Sequence, residues 1–330
     1  MRIAIDAMGG DFAPRAAIDG ALVAARRLGA ALLLVGREDV IRAELARHPD
    51  AESLDLQIRH APDVVEMAES PAVALRRKPQ ASIRVAAEAV ARGDAAAVFS
   101  AGNTGAAVVA THTTFGMLPG VDRPALAATI PTRLSSAVLL DSGATVDCRA
   151  QHLLQFAWLG SMFARVVLDV AEPRVGLLSI GEEEGKGNDL TRDAHRLLRE
   201  SRLRFIGNLD ARGVYSGAAD VIVCDGFTGN VALKVSESLV EALEGQLREA
   251  LSSTLASRVG FLLSRRAFAR LRRRLDYSEY GGAPLLGVAG VCVIGHGRSG
   301  AKAVRNAIAL THRFASVPFL DRMKEERRAK

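Results

Sequence analysis

Val221-Ile-Val-Cys-Asp-Gly-Phe-Thr-Gly-Asn-Val231 is the stretch from which the architecture can be read. A run of β-formers ends on Asp225, two glycines enclose a hydroxyl residue, and a helical pattern starts at Asn230. Strand, tight polar turn and helix N-terminus, in that order, are how an α/β protein presents backbone N–H groups to an anion. Three further junctions have the same character: Asp6-Ala-Met-Gly-Gly-Asp11, Ser100-Ala-Gly-Asn-Thr-Gly105 and Ser179-Ile-Gly-Glu-Glu-Glu-Gly-Lys-Gly-Asn188. Polar, glycine-rich strand ends repeated in this way point to one shared crevice, with phosphate as the first ligand to consider.

Outward from that stretch, strand and helix patterns alternate through most of the chain. Strands are expected at 2–6, 31–35, 54–59, 95–100, 126–130, 136–141, 174–180, 203–207, 220–224 and 290–295. Helices are expected at 14–28, 38–48, 80–92, 104–115, 150–169, 188–201, 228–256 and 299–315. The alternation predicts a three-layer α/β/α fold around a mostly parallel sheet, with residues 1–330 forming a single catalytic unit. The run 126–141 leaves no room for a helix between its two strands, so one antiparallel pairing is expected there. Aromatics make up only 5% of residues, which suits helices on a parallel sheet better than a β-sandwich. Cys148, Cys224 and Cys292 show no CxxC spacing and read as reduced thiols in a cytosolic protein. No signal-peptide pattern and no membrane-spanning apolar run is seen.

Charge is concentrated in one place. Between Glu249 and Asp276 there are seven arginines and no acidic residue; without them a net charge of +6 becomes −1 for the rest of the chain. Nucleic acid is therefore not an expected partner. Leu251, Leu255, Val259 and Leu262 follow helical spacing, Gly260 interrupts, and Phe268, Leu271 and Leu275 resume among the arginines. Residues 250–276 are expected to protrude as an amphipathic hairpin, its two helices meeting near Gly260, with Phe261, Leu262 and Leu263 at an apolar tip. Arg265, Arg266 and Arg272 would flank that tip and face an anionic membrane or an acidic protein. The alternative is that the apolar residues pack on a sister subunit.

Each junction offers candidate side chains. Ser179–Asn188 superficially resembles a nucleotide P-loop, but Gly187 stands where Ser or Thr should hold magnesium, and Glu182 to Glu184 would repel phosphates. What remains is Lys186 on a glycine hinge and Asn188 as a helix cap. In the loop after the apolar strand 95–99, Gly102 permits close backbone approach while Ser100, Asn103 and Thr104 supply polar groups, Asn103 or Thr104 also being placed to cap the next helix. At the opening stretch, Thr228 and Asn230 are candidate phosphate ligands, and Asp225 accepts a thiol proton, orients Lys234 or closes its own turn. His296, between Gly295 and Gly297, is placed to protonate a leaving thiolate. Cys224 lies in a Val-Ile-Val run and reads as a buried small hydrophobe. No His, Cys and carboxylate set has metal-ligand spacing.

Several motifs in order resemble one family. They are Ile5-Asp-Ala-Met-Gly-Gly-Asp11, Phe99 to Gly105, Asp122-Arg-Pro124, Gly181 to Asn188, Phe205-Ile-Gly-Asn208, Asp225 to Asn230, Tyr280-Gly-Gly-Ala-Pro-Leu-Leu286 and Gly295-His296-Gly297. Together they are similar to the bacterial phosphate acyltransferases of phospholipid synthesis. The resemblance implies reversible formation of acyl phosphate from long-chain acyl-acyl carrier protein and inorganic phosphate, with no cofactor. It also implies a fold similar to isopropylmalate dehydrogenase and phosphate acetyltransferase, a homodimer, and a cytoplasmic protein peripherally associated with the inner face of the membrane. The product would feed a membrane glycerol-3-phosphate acyltransferase. Asp141-Ser-Gly-Ala-Thr145 and Leu209-Asp-Ala-Arg-Gly213 depart from the family's usual pattern. Lys186, Asp225, His296 and Asn103 are the expected catalytic side chains, acting on phosphate that attacks the thioester directly. A coenzyme A-dependent phosphotransacetylase and a non-catalytic phosphate-binding regulator are the alternatives.

Overall fold

A computed structural model describes residues 1–275, 277–279 and 281–328. The first half of the chain forms β1 (Arg2–Asp6), α1 (Arg15–Leu28), β2 (Ala31–Gly36), α2 (Glu38–Leu45), β3 (Leu56–His60), α3 (Pro71–Arg77), α4 (Ser82–Ala91), β4 (Ala97–Ser100), α5 (Thr104–Phe115) and β5 (Ala125–Leu126). It continues with β6 (Ala128–Pro131), β7 (Ser136–Leu140), α6 (Ala150–Val167), β8 (Val175–Leu178), α7 (Asp189–Glu200), β9 (Phe205–Leu209) and β10 (Val221–Val223). The last part adds α8 (Gly226–Ser252), α9 (Leu255–Leu275), β11 (Ala283–Leu286), β12 (Cys292–Ile294), α10 (Ala301–Ser316) and α11 (Phe319–Arg328).

The strands build two mostly parallel sheets where the alternation predicted one. Seven run in the order β3-β2-β1-β4-β12-β11-β5 and five in the order β6-β7-β10-β8-β9. The division falls inside the expected strand 126–130. There β5 ends the first sheet, β6 begins the second, and the N–H of Ala127 between them bonds back to Pro284 of β11. The antiparallel pairing expected within 126–141 is β6 against β7.

Period-two alternation explains how helices cover both faces. In β1, Ile3 and Ile5 join a core cluster with Ile18 and Leu22 of α1 and Val304 and Ile308 of α10. Ala4 faces the other way, into a cluster with Val85 and Ala86 of α4 and Ala107 of α5. In the second sheet Val221 and Val223 pack with Leu153 and Phe156 of α6, whereas Ile222 lies with Leu139 and Cys224 on the opposite face, against Leu233 of α8.

The hairpin is present, but it turns elsewhere than expected. The break between α8 and α9 falls at Ser253 and Thr254, and Gly260 to Leu263 lie inside α9. Thr254 accepts the N–H of Ser257 at 3.1 Å, an N-cap bond that starts a helix, whereas an interior glycine costs a helix only about 1 kcal/mol.

Candidate active site

The loops after β1 and β4 interlock. Asp6, fully buried at the end of β1, accepts the Ser100 hydroxyl at 2.7 Å, and Ser100 Oγ in turn accepts the N–H of Gly102 at 3.1 Å. A methyl on Gly9 would lie 2.7 Å from the Gly102 nitrogen, so only glycine permits this approach. Burial pushes the Asp6 carboxyl above the usual carboxylate range, against the pull of hydrogen bonds from Ser100 and Ser82. The void beside these groups, lined by Asp6, Ser82, Ser100, Gly102 and Asn103, measures about 10 Å³. That is room for roughly one water and none for phosphate.

The polar groups expected to bind phosphate from this loop are therefore directed elsewhere. Ser100 and Gly102 bond within the interlock. Asn103 caps α5 through its Oδ1, which accepts the N–H of Ala106 at 3.0 Å. Its amide donates to the carbonyls of Glu66, Met67 and Glu69 at 3.1–3.2 Å, strapping down a loop more than thirty residues away in sequence. Thr104, the next residue, faces an open cavity.

That cavity has a volume of about 520 Å³ and is built from both sheets. Leu126, Ala128 and Thr129 line it from the crossover between sheets, Ser142 and Gly143 from the loop after β7, and Asn230, Leu233, Lys234 and Glu237 from α8. Asp11, Thr104 and the run Gly295–Ser299 close the other side. Asn230, Leu233, Lys234 and Glu237 are spaced i, i+3, i+4 and i+7, one face of a helix. Lys234 Nζ lies 2.6 Å from His296 Nε2 and 2.7 Å from Glu237. Along a contact that short the two nitrogens cannot both present a hydrogen, so lysine and imidazole form a donor–acceptor pair. Desolvation first, and the Lys234 cation second, hold His296 below the ordinary imidazole value.

α8 is held in place from both sides of its first turn. Asp225 caps it, accepting the N–H of Thr228 and the Thr228 hydroxyl, each at 2.8 Å. The helix thus begins at Gly226, earlier than the hydrophobic pattern indicated. Asp225 and Thr228 are turned toward each other, and neither lines the cavity. Opposite them Asp141, buried, accepts N–H groups from Leu126, Gly143, Ala144 and Thr145 at 2.6–3.0 Å and so shapes the loop bearing Ser142 and Gly143. Burial raises its pKa despite those bonds. Thr145 donates to the Pro124 carbonyl at 2.8 Å, a structural role.

The remaining expectations divide. Lys186 and Asn188 are exposed on the loop between β8 and α7, and neither is among the residues lining the cavity. Asn188 caps α7, accepting the N–H of Thr191 at 2.9 Å. His296 and Asn230 do reach the cavity, joined by Lys234, which bonds to Glu237 and His296 rather than to the Asp225 expected to orient it, and by Glu237, Asp11 and Ser299, which the sequence does not mark as site residues. Helical spacing from Asn230 is the signal that places Lys234 and Glu237 on the same face. Phe261, Leu262, Leu263, Arg265 and Arg266 are exposed on α9, and Arg272 has a side chain that lies outside the described residues. On α8, Val231, Val235, Leu239, Leu243 and Leu247 are exposed too. Burial pushes the Cys148 thiol up to about 12 and Cys224 well above the ordinary thiol value. Among the described residues no cluster of three metal-ligating side chains occurs.

Residues 1–322 match the family described as fatty acid synthesis protein. The chain is 51% identical over 314 residues to a phosphate acyltransferase of Acidobacterium capsulatum, covering 95% of this chain and 93% of that one. It is 48% identical over 326 residues to a phosphate acyltransferase of a Geobacter species, covering 99% and 92%. Among solved structures, a phosphotransacetylase from Streptococcus pyogenes superposes with a TM-score of 0.65 at 16% identity, over 96% of this chain and 94% of that one. A 4-hydroxythreonine-4-phosphate dehydrogenase from Klebsiella pneumoniae does so with a TM-score of 0.55 at 14% identity, over 96% and 99%. Likeness at that identity speaks to the fold alone.

Proposed function

The chain belongs to the phosphate acyltransferase family of fatty acid synthesis proteins, and we propose that its reaction joins inorganic phosphate to the acyl group of a long-chain acyl-acyl carrier protein. It is an acyl-transferring enzyme. A phosphate oxygen attacks the thioester carbonyl carbon, a tetrahedral oxyanion forms and collapses, and the C–S bond breaks. The thiolate takes up a proton, and acyl phosphate is released. Phosphate dianion is a competent nucleophile at neutral pH, so the protein has to position it, stabilise the oxyanion and assist the leaving sulfur. High thiol pKa values at Cys148 and Cys224 argue against a covalent acyl-cysteine.

The observation that carries this reading is the Lys234–His296 pair opening onto the cavity between the sheets. Phosphate rests against Thr104, Lys234 and His296, the thioester lies over Asn230 and Gly143, and the lysine–imidazole pair passes a proton to the departing sulfur. Asp225, Asn103 and Asn188 act through the helices they cap. Residues 1–330 work as a single catalytic unit.

The exposed apolar and basic hairpin supports a homodimer and a contact with an acidic surface, either carrier protein or anionic lipid on the inner face of the membrane. Among the described residues no helix is long and apolar enough to cross a bilayer. From a cytoplasmic, peripheral position the acyl phosphate passes to a membrane glycerol-3-phosphate acyltransferase. Charge reversal at Arg265 and Arg266 separates the two surfaces. Lost liposome binding with normal soluble turnover identifies lipid, and a raised KM for acyl carrier protein identifies docking.

The reaction is tested by incubating the protein with palmitoyl-acyl carrier protein and phosphate and trapping acyl phosphate with hydroxylamine. Phosphate-dependent hydroxamate is expected. Its absence with carrier and coenzyme A thioesters alike overturns the reading, and hydroxamate from acetyl-coenzyme A alone replaces it with a phosphotransacetylase.

A further inference from the structure

We infer that Ser299 is a phosphate ligand and that it completes an anion seat at the N-terminus of α10, an assignment that rests on the phosphate acyltransferase reading above. Ser299 is 4% exposed, and its Oγ has no hydrogen-bond partner among the described residues. A buried hydroxyl left unbonded is costly, and native proteins nearly always satisfy one. Ser299 nevertheless lines the cavity, beside His296, Gly297 and Arg298. A buried, unsatisfied donor on a residue that lines this cavity is accounted for if an acceptor reaches it during the reaction.

The backbone points to the charge of that acceptor. α10 is 16 residues long, its N-cap is Gly300, no side chain caps it, and no acidic residue lies in its first turn. The first N–H groups of a helix have no intrahelical partners and carry partial positive charge, which favours an anion over a neutral thioester. The cations nearby are already balanced: Glu237 lies 2.7 Å from Lys234, and Glu241 3.3 Å from Arg298. Asp11 adds a further carboxylate to the wall. Orthophosphate competes with these carboxylates for Lys234 and Arg298. Unlike them, it also accepts the Ser299 hydroxyl, and that difference selects for it.

Ser299→Ala separates this role from a structural one. Because the hydroxyl is unbonded in the free protein, its removal should leave stability in phosphate-free urea titrations unchanged or slightly raised. The KM for phosphate should rise about tenfold or more, the order expected for one lost hydrogen bond to a charged group. The KM for palmitoyl-acyl carrier protein should stay near its original value, and the rise in Tm on adding inorganic phosphate should shrink or vanish. Ser299→Cys, close in volume but a weaker donor, should show the same trend and replaces the alanine variant if that one folds poorly. A phosphate KM within about twofold of wild type, or an undiminished phosphate-induced Tm rise, overturns the assignment. Wild-type hydroxamate formation alongside such a result sinks Ser299 alone. Absence of hydroxamate from the wild type sinks the reaction, whereas a phosphate-induced Tm rise lost in the variant would still support the seat.

Discussion

Gly229→Ala tests whether the first turn of α8 is wedged against the loop that Asp141 shapes. A methyl at Gly229 would sit 1.9 Å from the Asp141 carbonyl oxygen and 2.8 Å from Cys224 Sγ. Ordinary contact begins near 3.4 Å, so the helix or the carbonyl must move by about 1.5 Å. The carbonyl is poorly placed to yield. The side chain of Asp141 is held by four backbone N–H groups, and its own N–H bonds to the Cys224 carbonyl at 3.0 Å. Displacing α8 should cost about 3 kcal/mol, the upper end for an added methyl in a packed site, offset by about 1 kcal/mol of helix propensity. A net loss of about 2 kcal/mol is expected in urea unfolding. Gly260→Ala supplies the control, since a methyl there meets nothing within 4 Å. The same chemical change should stabilise by about 0.5–1 kcal/mol. Because Asn230 and Lys234 follow Gly229 on the helix, turnover in Gly229→Ala should also fall by roughly 10²-fold, the scale of an ångström's misplacement. Equal stabilisation by both alanines would refute the wedge.

Other outcomes follow from the cavity and its surroundings. Lys234→Met should lower kcat by about 10²-fold or more with little change in Tm, because the side chain is exposed; near-normal kcat in a single-turnover assay would remove Lys234 from the chemistry. His296 and His152 are both held below 6.5, chiefly by desolvation, so between the lowered and ordinary values the unfolded chain binds more protons than the folded one. Stability should therefore fall as pH drops below about 6.5, and a His152→Gln, His296→Gln double variant should flatten that slope in urea titrations between about pH 7.5 and about pH 5.5. Cys224→Ala should keep turnover within about twofold, and intact-mass measurement of the wild type during turnover should show no acyl adduct. A trapped thioester at Cys224 would contradict direct attack.

Much of the fold was legible because the strands that matter are short apolar runs ending at glycine-rich turns, as at β1, β4 and β10. β11 escaped because Ala283-Pro-Leu-Leu286 neither alternates nor follows β-propensity, and Pro284, which has no N–H for the ladder, argues against a strand paired on both sides. α3 is a single short helix opened by Pro71 and fixed by its packing on α5, a contact that local pattern does not carry. The hairpin turns at Ser253-Thr254 rather than at Gly260 because a capping hydroxyl starts a helix there, whereas one interior glycine only weakens one. In the site, three of the glycine-rich junctions give Asp11, Thr104 and Asn230 to the cavity while Ser179–Asn188 gives none, and the sequence does not show which polar groups face it. Asn103 looks like a ligand in sequence, and only the fold brings the carbonyls of Glu66, Met67 and Glu69 to its amide. The unbonded state of Ser299 likewise exists only in three dimensions.

α8 acts as a ruler. Its 27 residues span about 40 Å at helical rise, with Asn230 and Lys234 near one end and the turn into α9 at the other. Under the function proposed above, a surface that met the hairpin would be kept at a set stand-off from the thioester carbonyl, because one continuous helix joins the two. The long acyl chain of the proposed substrate would then have to bridge that gap or be handed across it, and lengthening α8 by whole turns would alter the delivery distance while leaving the pocket's own geometry untouched.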